Sequence, residues 1–167
     1  MKWIKDIMVQ KQNQSRMRLQ SKKEIIVPTQ IKQIGILAGA EEEFELTKEV
    51  IRNLWGYKVR IIGLFYNEGK STKVEAFSHK HFNIWGQHSD YLNEFLLEKM
   101  DFILVLPLQL NPYLRYLLLA NKSSLNLGFY SKENEAYLDL MLQTEGDDLH
   151  ENIQHLINYL NKIKEAC

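Results

Sequence analysis

Along the 167-residue chain, continuous apolar runs alternate with stripes of apolar residues at helical spacing, and this alternation predicts the secondary structure. Continuous apolar runs at 31–40, 58–67, 101–108 and 124–131 are typical of strands buried on both faces of a parallel sheet. Apolar stripes with helical spacing occupy 41–56, 89–100, 112–123 and 149–163. Strands that alternate with helices in this way predict βαβ units and a sheet that is covered on both sides.

Residues 136–143 have a pattern that differs from the other predicted strands. Leu138, Leu140 and Leu142 alternate there with Tyr137, Asp139 and Met141. A strand with one buried and one exposed face alternates in this way, so we predict an edge or antiparallel strand at this position.

The first 24 residues are basic, with seven lysines and arginines against two acidic residues. Trp3 and Ile7 are four residues apart, and they belong to a group of apolar residues at helical spacing. This spacing predicts a short amphipathic helix that docks through these two side chains, followed by a solvated basic tail. A weak contact with a membrane surface or with nucleic acid is the alternative function of this segment.

The length of the chain suits one domain. We predict a single Rossmann-like, three-layer α/β domain at 25–167 with a mainly parallel sheet, preceded by a basic N-terminal helix or tail at 1–24. Ligands of such sheets bind beyond the carboxyl ends of the strands. The segments in that position are 39–43, 66–72, 107–112 and 130–135.

The composition narrows the possible partners and compartment. Twenty-one basic residues balance 21 acidic ones, so the molecule as a whole has no net field that would attract nucleic acid or an anionic membrane. Cys167 is the one cysteine, which excludes an internal disulfide and a cysteine-based zinc site. These features favour a cytoplasmic protein.

Two segments resemble phosphate-binding loops but lack residues that such loops need. Gly69-Lys70-Ser71 matches the end of a P-loop, yet Leu64 stands where the first glycine is required and no helical stripe follows. The turn at 39–43 carries three glutamates, and these would repel a pyrophosphate at the amides of the helix. We therefore predict no nucleotide cofactor.

The stretch 77–90 contains three of the five histidines. If 74–82 were extended, His79 and His81 would lie on one face of a strand, and with His88 and Asp90 they could form a metal site. The chain has no pair of histidines on a helix of the kind found in zinc enzymes. We predict solvated histidines and no metal, and keep these four residues as the candidates for a metal-binding alternative.

A small set of polar and aromatic residues is the candidate for ligand contacts. Trp85 is predicted to pack against the sheet or to line a pocket, because aromatic rings are common in ligand clefts. Asn111 is the predicted N-cap of a helix that begins at a proline. Around a cleft at this edge, Arg115 would pair with a phosphate, with Tyr113 nearby and Tyr130 stacking on a base or sugar.

The order of elements and several short motifs resemble a family of small bacterial proteins that is known only as a domain of unknown function. The resemblance covers nearly the whole chain and implies a cytoplasmic, Rossmann-like domain, but it implies no activity, cofactor or catalytic residue. Its most specific pieces are Phe82-Asn83 with Gly86, Asn111-Pro112, Gly128, and Tyr137 followed by Asp139-Leu140-Met141.

A looser similarity links the segment 108–129 to one half of a glycosyltransferase of the heptosyltransferase kind. Such enzymes act between two Rossmann-like halves, whereas this chain has the length of one half. A complete nucleotide-sugar site would therefore need a partner chain.

These observations lead to one functional hypothesis and two alternatives. We expect a non-catalytic or accessory module that binds a partner protein or a small ligand at the carboxyl edge of its sheet, because every catalytic template lacks a necessary residue. The first alternative is an enzyme related to glycosyl or nucleotide-sugar transfer that needs a partner chain. The second is a histidine-based metal-binding protein.

Overall fold

The structure, a computed structural model, describes residues 1–20, 23–123 and 125–167. It contains one six-stranded sheet in the order β3-β2-β1-β4-β5-β6, and every neighbouring pair is parallel. The strands are β1 (Gln33–Ala38), β2 (Arg60–Tyr66), β3 (Ala76–Phe77), β4 (Phe102–Val105), β5 (Asn126–Phe129) and β6 (Leu140–Leu142). The prediction of a Rossmann-like α/β fold is thus confirmed.

Helices cover both faces of the sheet. They are α1 (Lys2–Leu19), α2 (Glu41–Trp55), α3 (Asn93–Leu97), α4 (Pro112–Ala120) and α5 (Leu149–Ala166). One buried apolar cluster joins the sheet to α1, α3 and α4, and a second joins its other face to α2 and α5. In the part of the chain that the structure describes, no helix has the length and apolarity needed to cross a bilayer.

The most apolar sequence runs form the centre of the sheet. Ile36 of β1 pairs with Gly63 of β2 on one side and with Leu104 of β4 on the other. All four residues of β4 are buried, as expected for a strand between two helical layers. The strand order reverses between β1 and β4, which is where doubly wound sheets usually form a ligand crevice.

Helix α4 begins as its sequence predicts. The Oδ1 atom of Asn111 accepts hydrogen bonds from the backbone amides of Tyr113 (3.0 Å) and Leu114 (2.9 Å), and Pro112 occupies the first helical position. These bonds satisfy two amides that have no partner inside the helix. The cap fixes where the chain enters α4 at the carboxyl edge of the sheet.

The structure corrects one strand prediction and refines another. The segment 74–82 is not extended throughout, because β3 ends at Phe77 and residues 79–81 form a 3₁₀ turn. The prediction that His79 and His81 share the face of a strand is therefore wrong. In 136–143 the strand is shorter than predicted, and β6 lies at the edge of the sheet and runs parallel to β5.

The N-terminal helix forms, but it docks through the face opposite to the predicted one. Val9 and Asn13 are its buried residues, while the side chains of Trp3 and Ile7 remain 65% and 43% exposed. The prediction that α1 docks through Trp3 and Ile7 is therefore wrong. The physical reason is that polar side chains of α1 bind backbone carbonyls of the domain, which fixes the rotation of the helix.

Candidate functional site

Helix α1 lies against the loops that follow β3 and β4, at the carboxyl edge of the sheet. Lys5 donates a hydrogen bond to the carbonyl of His79 (3.3 Å), and Asn13 donates one to the carbonyl of Pro112 (2.8 Å). Gln12 donates a third to the carbonyl of Trp85 (3.0 Å). The helix thus covers part of the edge at which a Rossmann-like sheet usually binds its ligand.

Two tyrosines and two carboxylates connect α1 to this edge. The Tyr113 hydroxyl donates to Asp6 Oδ1 (2.6 Å), and the Tyr66 hydroxyl donates to Glu68 Oε1 (2.8 Å), which also pairs with Lys2. The two tyrosine rings stack with centroids 5.8 Å apart. Burial, followed by the neighbouring carboxylate, raises the pKa of both tyrosines, so they remain protonated donors at neutral pH. The network can hold α1 in place.

The five predicted ligand residues do not surround one cleft. Asn111 and Tyr113 are engaged in the helix cap and in the bond to Asp6. Trp85 is 62% exposed at the tip of its loop. None of the principal concavities in the described part of the chain is lined by any of the five.

Arg115 and Tyr130, the other two members of that set, contact neighbouring side chains. The Arg115 guanidinium lies over the ring of Tyr137, 5.4 Å from its centroid. The Tyr130 hydroxyl donates to Glu135 (3.0 Å), a bond that raises the tyrosine pKa. Contacts with phosphate, sugar or base by these residues stay predictions.

The histidines of 77–90 are not arranged as a metal site. His81 Nδ1 accepts a hydrogen bond from the Ser78 amide (3.0 Å), and His88 Nδ1 shares one with the Tyr116 hydroxyl (2.8 Å). His79 Nδ1 is buried with no partner. Over the described residues, no group of three or more histidine, cysteine, aspartate or glutamate side chains is placed to hold a metal ion. The alternative with His79, His81, His88 and Asp90 therefore has no geometric support.

His81 gives a testable pH dependence. Burial, with a smaller contribution from the charge of Lys80, holds the His81 pKa below its ordinary value of 6.5. A depressed pKa means that the folded state favours the neutral ring, so this contribution to stability is complete above pH 6.5 and is lost as pH falls through the folded pKa. A histidine Cε1-proton titration by NMR should give a midpoint below 6.5 for this ring; a midpoint at or above that value would contradict the argument.

At the reversal of strand order, a carboxylate of α2 bonds back to the loop after β1. The Gly39 amide donates to Glu43 Oε2 (3.0 Å), at the position where a nucleotide phosphate would meet the start of α2. A Cβ atom on Gly39 would lie 3.3 Å from Pro107, so the loops after β1 and β4 are in close contact. A carboxylate of the protein therefore occupies the phosphate position.

A large groove lies at the opposite, amino edge of the sheet. Its volume is about 660 Å³, and it lies between the end of α1, the segment from residue 23, the end of α4 and the residues that precede β4 and β6. Drug-sized ligands occupy pockets of roughly this size. Its lining carries three basic and three acidic side chains beside several amides and hydroxyls, and the charged and central polar members are Lys23, Glu24, Lys99, Lys122, Ser123, Asn126, Glu135 and Asp139.

The floor of this amino-edge groove contains an unsatisfied polar atom. Asn126, the first residue of β5, is only 5% exposed, and its Oδ1 atom has no hydrogen-bond partner. Its Nδ2 atom makes one long bond to the carbonyl of Tyr137 (3.3 Å). A buried acceptor without a donor is unfavourable, and Asn126 is one of the residues that line the groove.

The rim of the groove carries cations with no anionic partner. Across residues 1–20, 23–123 and 125–167, no carboxylate lies within 4.0 Å of Lys99 or Lys122. Lys23 differs, because it binds Asp139 Oδ2 at 2.9 Å, and the same oxygen accepts from the Asn126 amide at 2.7 Å. Two exposed ammonium groups thus remain available to an anion.

Sequence reasoning missed this groove because it concentrated on the carboxyl edge. One signal was present: Asn126 interrupts the apolar run at 124–131 at a position where a strand buried on both faces is otherwise apolar. The lysines gave no signal, since isolated surface lysines are ordinary. Their common location depends on the packing of α4 beside the starts of β4 and β5.

Comparison with protein-family models matches residues 5–163 to a family of unknown function, DUF6913. Comparison with curated proteins and with solved structures gives no match. The fold and the family thus agree with the resemblance that the sequence motifs indicated, and neither supplies an activity.

Proposed function

This chain belongs to the DUF6913 family, whose function is unknown, and we propose from its geometry that it is a non-catalytic module that binds a small polar ligand. The proposed site is the amino-edge groove. The ligand carries at least one N–H or O–H donor and an anionic group such as a carboxylate or phosphate. The observation that carries the proposal is the buried, unpartnered Oδ1 atom of Asn126 on the floor of a 660 Å³ groove.

The polar groups around Asn126 support a ligand of this class. Burial of its carbonyl oxygen without a donor costs about 1–3 kcal/mol, and a ligand donor would recover that energy. Lys99 and Lys122 place two ammonium groups at the rim that have no carboxylate of the described residues within 4.0 Å, while Glu24 and Glu135 also line the groove and Asp139 is paired with Lys23. A neutral apolar molecule would leave both the amide oxygen and the two ammonium groups without a partner.

A binding role fits the described chemistry better than catalysis does. Nucleophilic catalysis needs a nucleophile beside a base. The groove contains two hydroxyls, of Ser123 and Tyr137, and three carboxylates, but among the described residues no hydrogen bond joins either hydroxyl to a carboxylate or a histidine. The Ser123 hydroxyl oxygen accepts a bond from the Met100 amide (2.9 Å). The two further hypotheses, a ligand at the carboxyl edge and a nucleotide-sugar enzyme with a partner chain, remain predictions.

The proposal is tested by titrating a panel of phosphate, acetate, succinate and amino acids into ¹⁵N-labelled protein. We expect at least one probe to shift the side-chain amide resonances of Asn126 more than those of other asparagines. The double variant K99A/K122A should bind that probe with about tenfold lower affinity, since two solvent-exposed contacts of up to about 1 kcal/mol each are lost.

The matched control is K58A/K162A, which removes two exposed lysines that lie outside the groove. Binding by this control should equal binding by the unmodified protein. An equal loss in both double variants would show a general effect of net charge and would contradict the proposed site. A panel that leaves the Asn126 amide unshifted would contradict it as well.

A further inference from the structure

The solvent-facing side of α1 has an apolar surface that the fold does not use. Because Val9 and Asn13 face the domain, helical geometry places Ile4, Ile7 and Lys11 on the opposite side. Trp3 is adjacent to Ile7 on the helix surface and is 65% exposed. The helix thus presents Trp3 and Ile7 to solvent at its first two turns, with Ile4 half-buried.

A second tryptophan is located beside this helix. The Gln12 side chain donates a hydrogen bond to the carbonyl of Trp85. Gly86, which follows Trp85, packs on the backbone of α1, and a Cβ atom at this position would lie 2.9 Å from backbone atoms of Met8 and Val9. Trp85 and its neighbour Ile84 are nevertheless exposed. The loop therefore adds a second exposed apolar group beside the helix.

Basic residues accompany these apolar groups; Lys2 is paired with Glu68, whereas Lys11 and Arg18 lack an anionic partner in the described part of the chain. Residues 1–20 contain five lysines and arginines and one acidic residue, Asp6, which is bound to Tyr113. Among the described residues, no carboxylate lies within 4.0 Å of Lys11 or Arg18. The surface therefore carries uncompensated positive charge, although the formal net charge of the whole chain is zero.

A shallow hollow of about 330 Å³ on α1 brings several donors together. Lys11, Gln12, Ser15 and Arg16 line it, with Met8 as its apolar member. Arg16 is held in place by a bond to the Tyr116 hydroxyl (3.3 Å), and its Nε atom has no partner. The Lys11 ammonium and the Ser15 hydroxyl can donate to a phosphate group at this hollow, while Gln12 and Arg16 also bond to Trp85 and Tyr116.

We propose that the outer side of α1, together with the tip of the 82–88 loop, binds the surface of an anionic lipid bilayer. The Trp3 and Ile7 side chains enter the interfacial region, while Lys11 and Arg18 contact lipid phosphates. Nucleic acid would use the cations but gains little from exposed isoleucines, and a lipid surface uses both. The helix keeps its docked position, because the residues involved face away from the domain.

The test compares vesicles of phosphatidylcholine alone with vesicles that contain 30% phosphatidylglycerol. We expect sedimentation with the anionic vesicles only, reduced by added salt, together with a blue shift of tryptophan emission and quenching by brominated lipid. The variant K11E/R18E should bind at least ~tenfold more weakly. The variant W3S should lose part of the blue shift.

The control K58E/K162E makes the same change of net charge at exposed positions outside α1 and should bind as the unmodified protein does. Circular dichroism checks that each variant folds. If K11E/R18E unfolds, the loss of vesicle binding by the unmodified protein as salt is added tests the role of charge instead. The proposal is overturned if anionic vesicles are not bound or if both double variants lose binding equally. It is also overturned if a single-stranded oligonucleotide binds more tightly than the vesicles and W3S leaves vesicle binding unchanged.

Discussion

Replacement of Gly86 by alanine should lower the free energy of unfolding by about 2–4 kcal/mol and loosen α1. Gly86 has a φ angle of +76°, which residues with a side chain rarely adopt. The new Cβ would also lie 2.9 Å from backbone atoms of Met8 and Val9, and a backbone cannot move aside as a flexible side chain can. Urea unfolding measures the loss, and limited proteolysis within residues 1–24 measures the release of the helix.

Gly146 provides a matched control for this substitution. Its φ angle is +68°, yet no atom lies within 4 Å of the position that a Cβ would take. Gly146→Ala should therefore cost only the backbone strain, about 1 kcal/mol, without exposing α1 to protease. Equal losses in the two variants would mean that contact with α1 contributes nothing at Gly86.

Replacement of Asp139 by alanine should cost about 2–4 kcal/mol of unfolding free energy. Its Oδ2 atom accepts from the backbone amide of Asn126 (2.7 Å) and from Lys23 Nζ (2.9 Å). Asn126 is buried, so truncation of the Asp139 side chain leaves the backbone amide of Asn126 without a partner. The loss of this bond to a charged acceptor is the largest part of the cost in unfolding free energy. Chemical denaturation checks the value.

Two further variants separate the contributions at this position. Asp139→Asn keeps an oxygen that can accept from the Asn126 amide and should lose only about 1 kcal/mol. Lys23→Ala removes the partly exposed ion pair and should lose about 1 kcal/mol or less. If Lys23→Ala were as damaging as Asp139→Ala, the ion pair rather than the bond to the amide would be the important contact.

These two positions explain part of the motif pattern in the sequence. Phe82 packs its ring 4.9 Å from that of Tyr113, Asn83 Oδ1 accepts from two amides of its own turn, and Gly86 allows α1 to approach. Asp139 joins the start of β5 to the residues before β6. The motifs of the 82–86 and 137–141 segments thus have structural roles.

The amino-acid sequence predicted the fold class well because apolar spacing is a local property. The apolar run at 101–108 contains β4, and the stripe at 41–56 contains α2. The Asn111-Pro112 pair marked the start of α4, since a side-chain cap and a proline act on neighbouring backbone atoms. Such features need no information about distant residues.

The face through which α1 docks could not be predicted from spacing. Trp3 and Ile7 are four residues apart, and so are Val9 and Asn13, so both pairs have helical spacing. What decides between the faces is contact with carbonyls 73 to 99 residues away in the chain. The strand-face hypothesis for the histidines was wrong for a related reason, since Ser78 caps a 3₁₀ turn that ends the extended segment.

The sequence by itself determined a parallel α/β sheet with helices on both faces, the cap of α4 and the absence of intact phosphate-loop motifs. Tertiary structure alone decided that α1 covers part of the carboxyl edge, that Glu43 fills the phosphate position and that the large groove opens at the amino edge. The physical reason is the range of the interactions. Periodicity and caps act within a few residues, whereas a groove or a docked helix is formed by segments that only folding brings together.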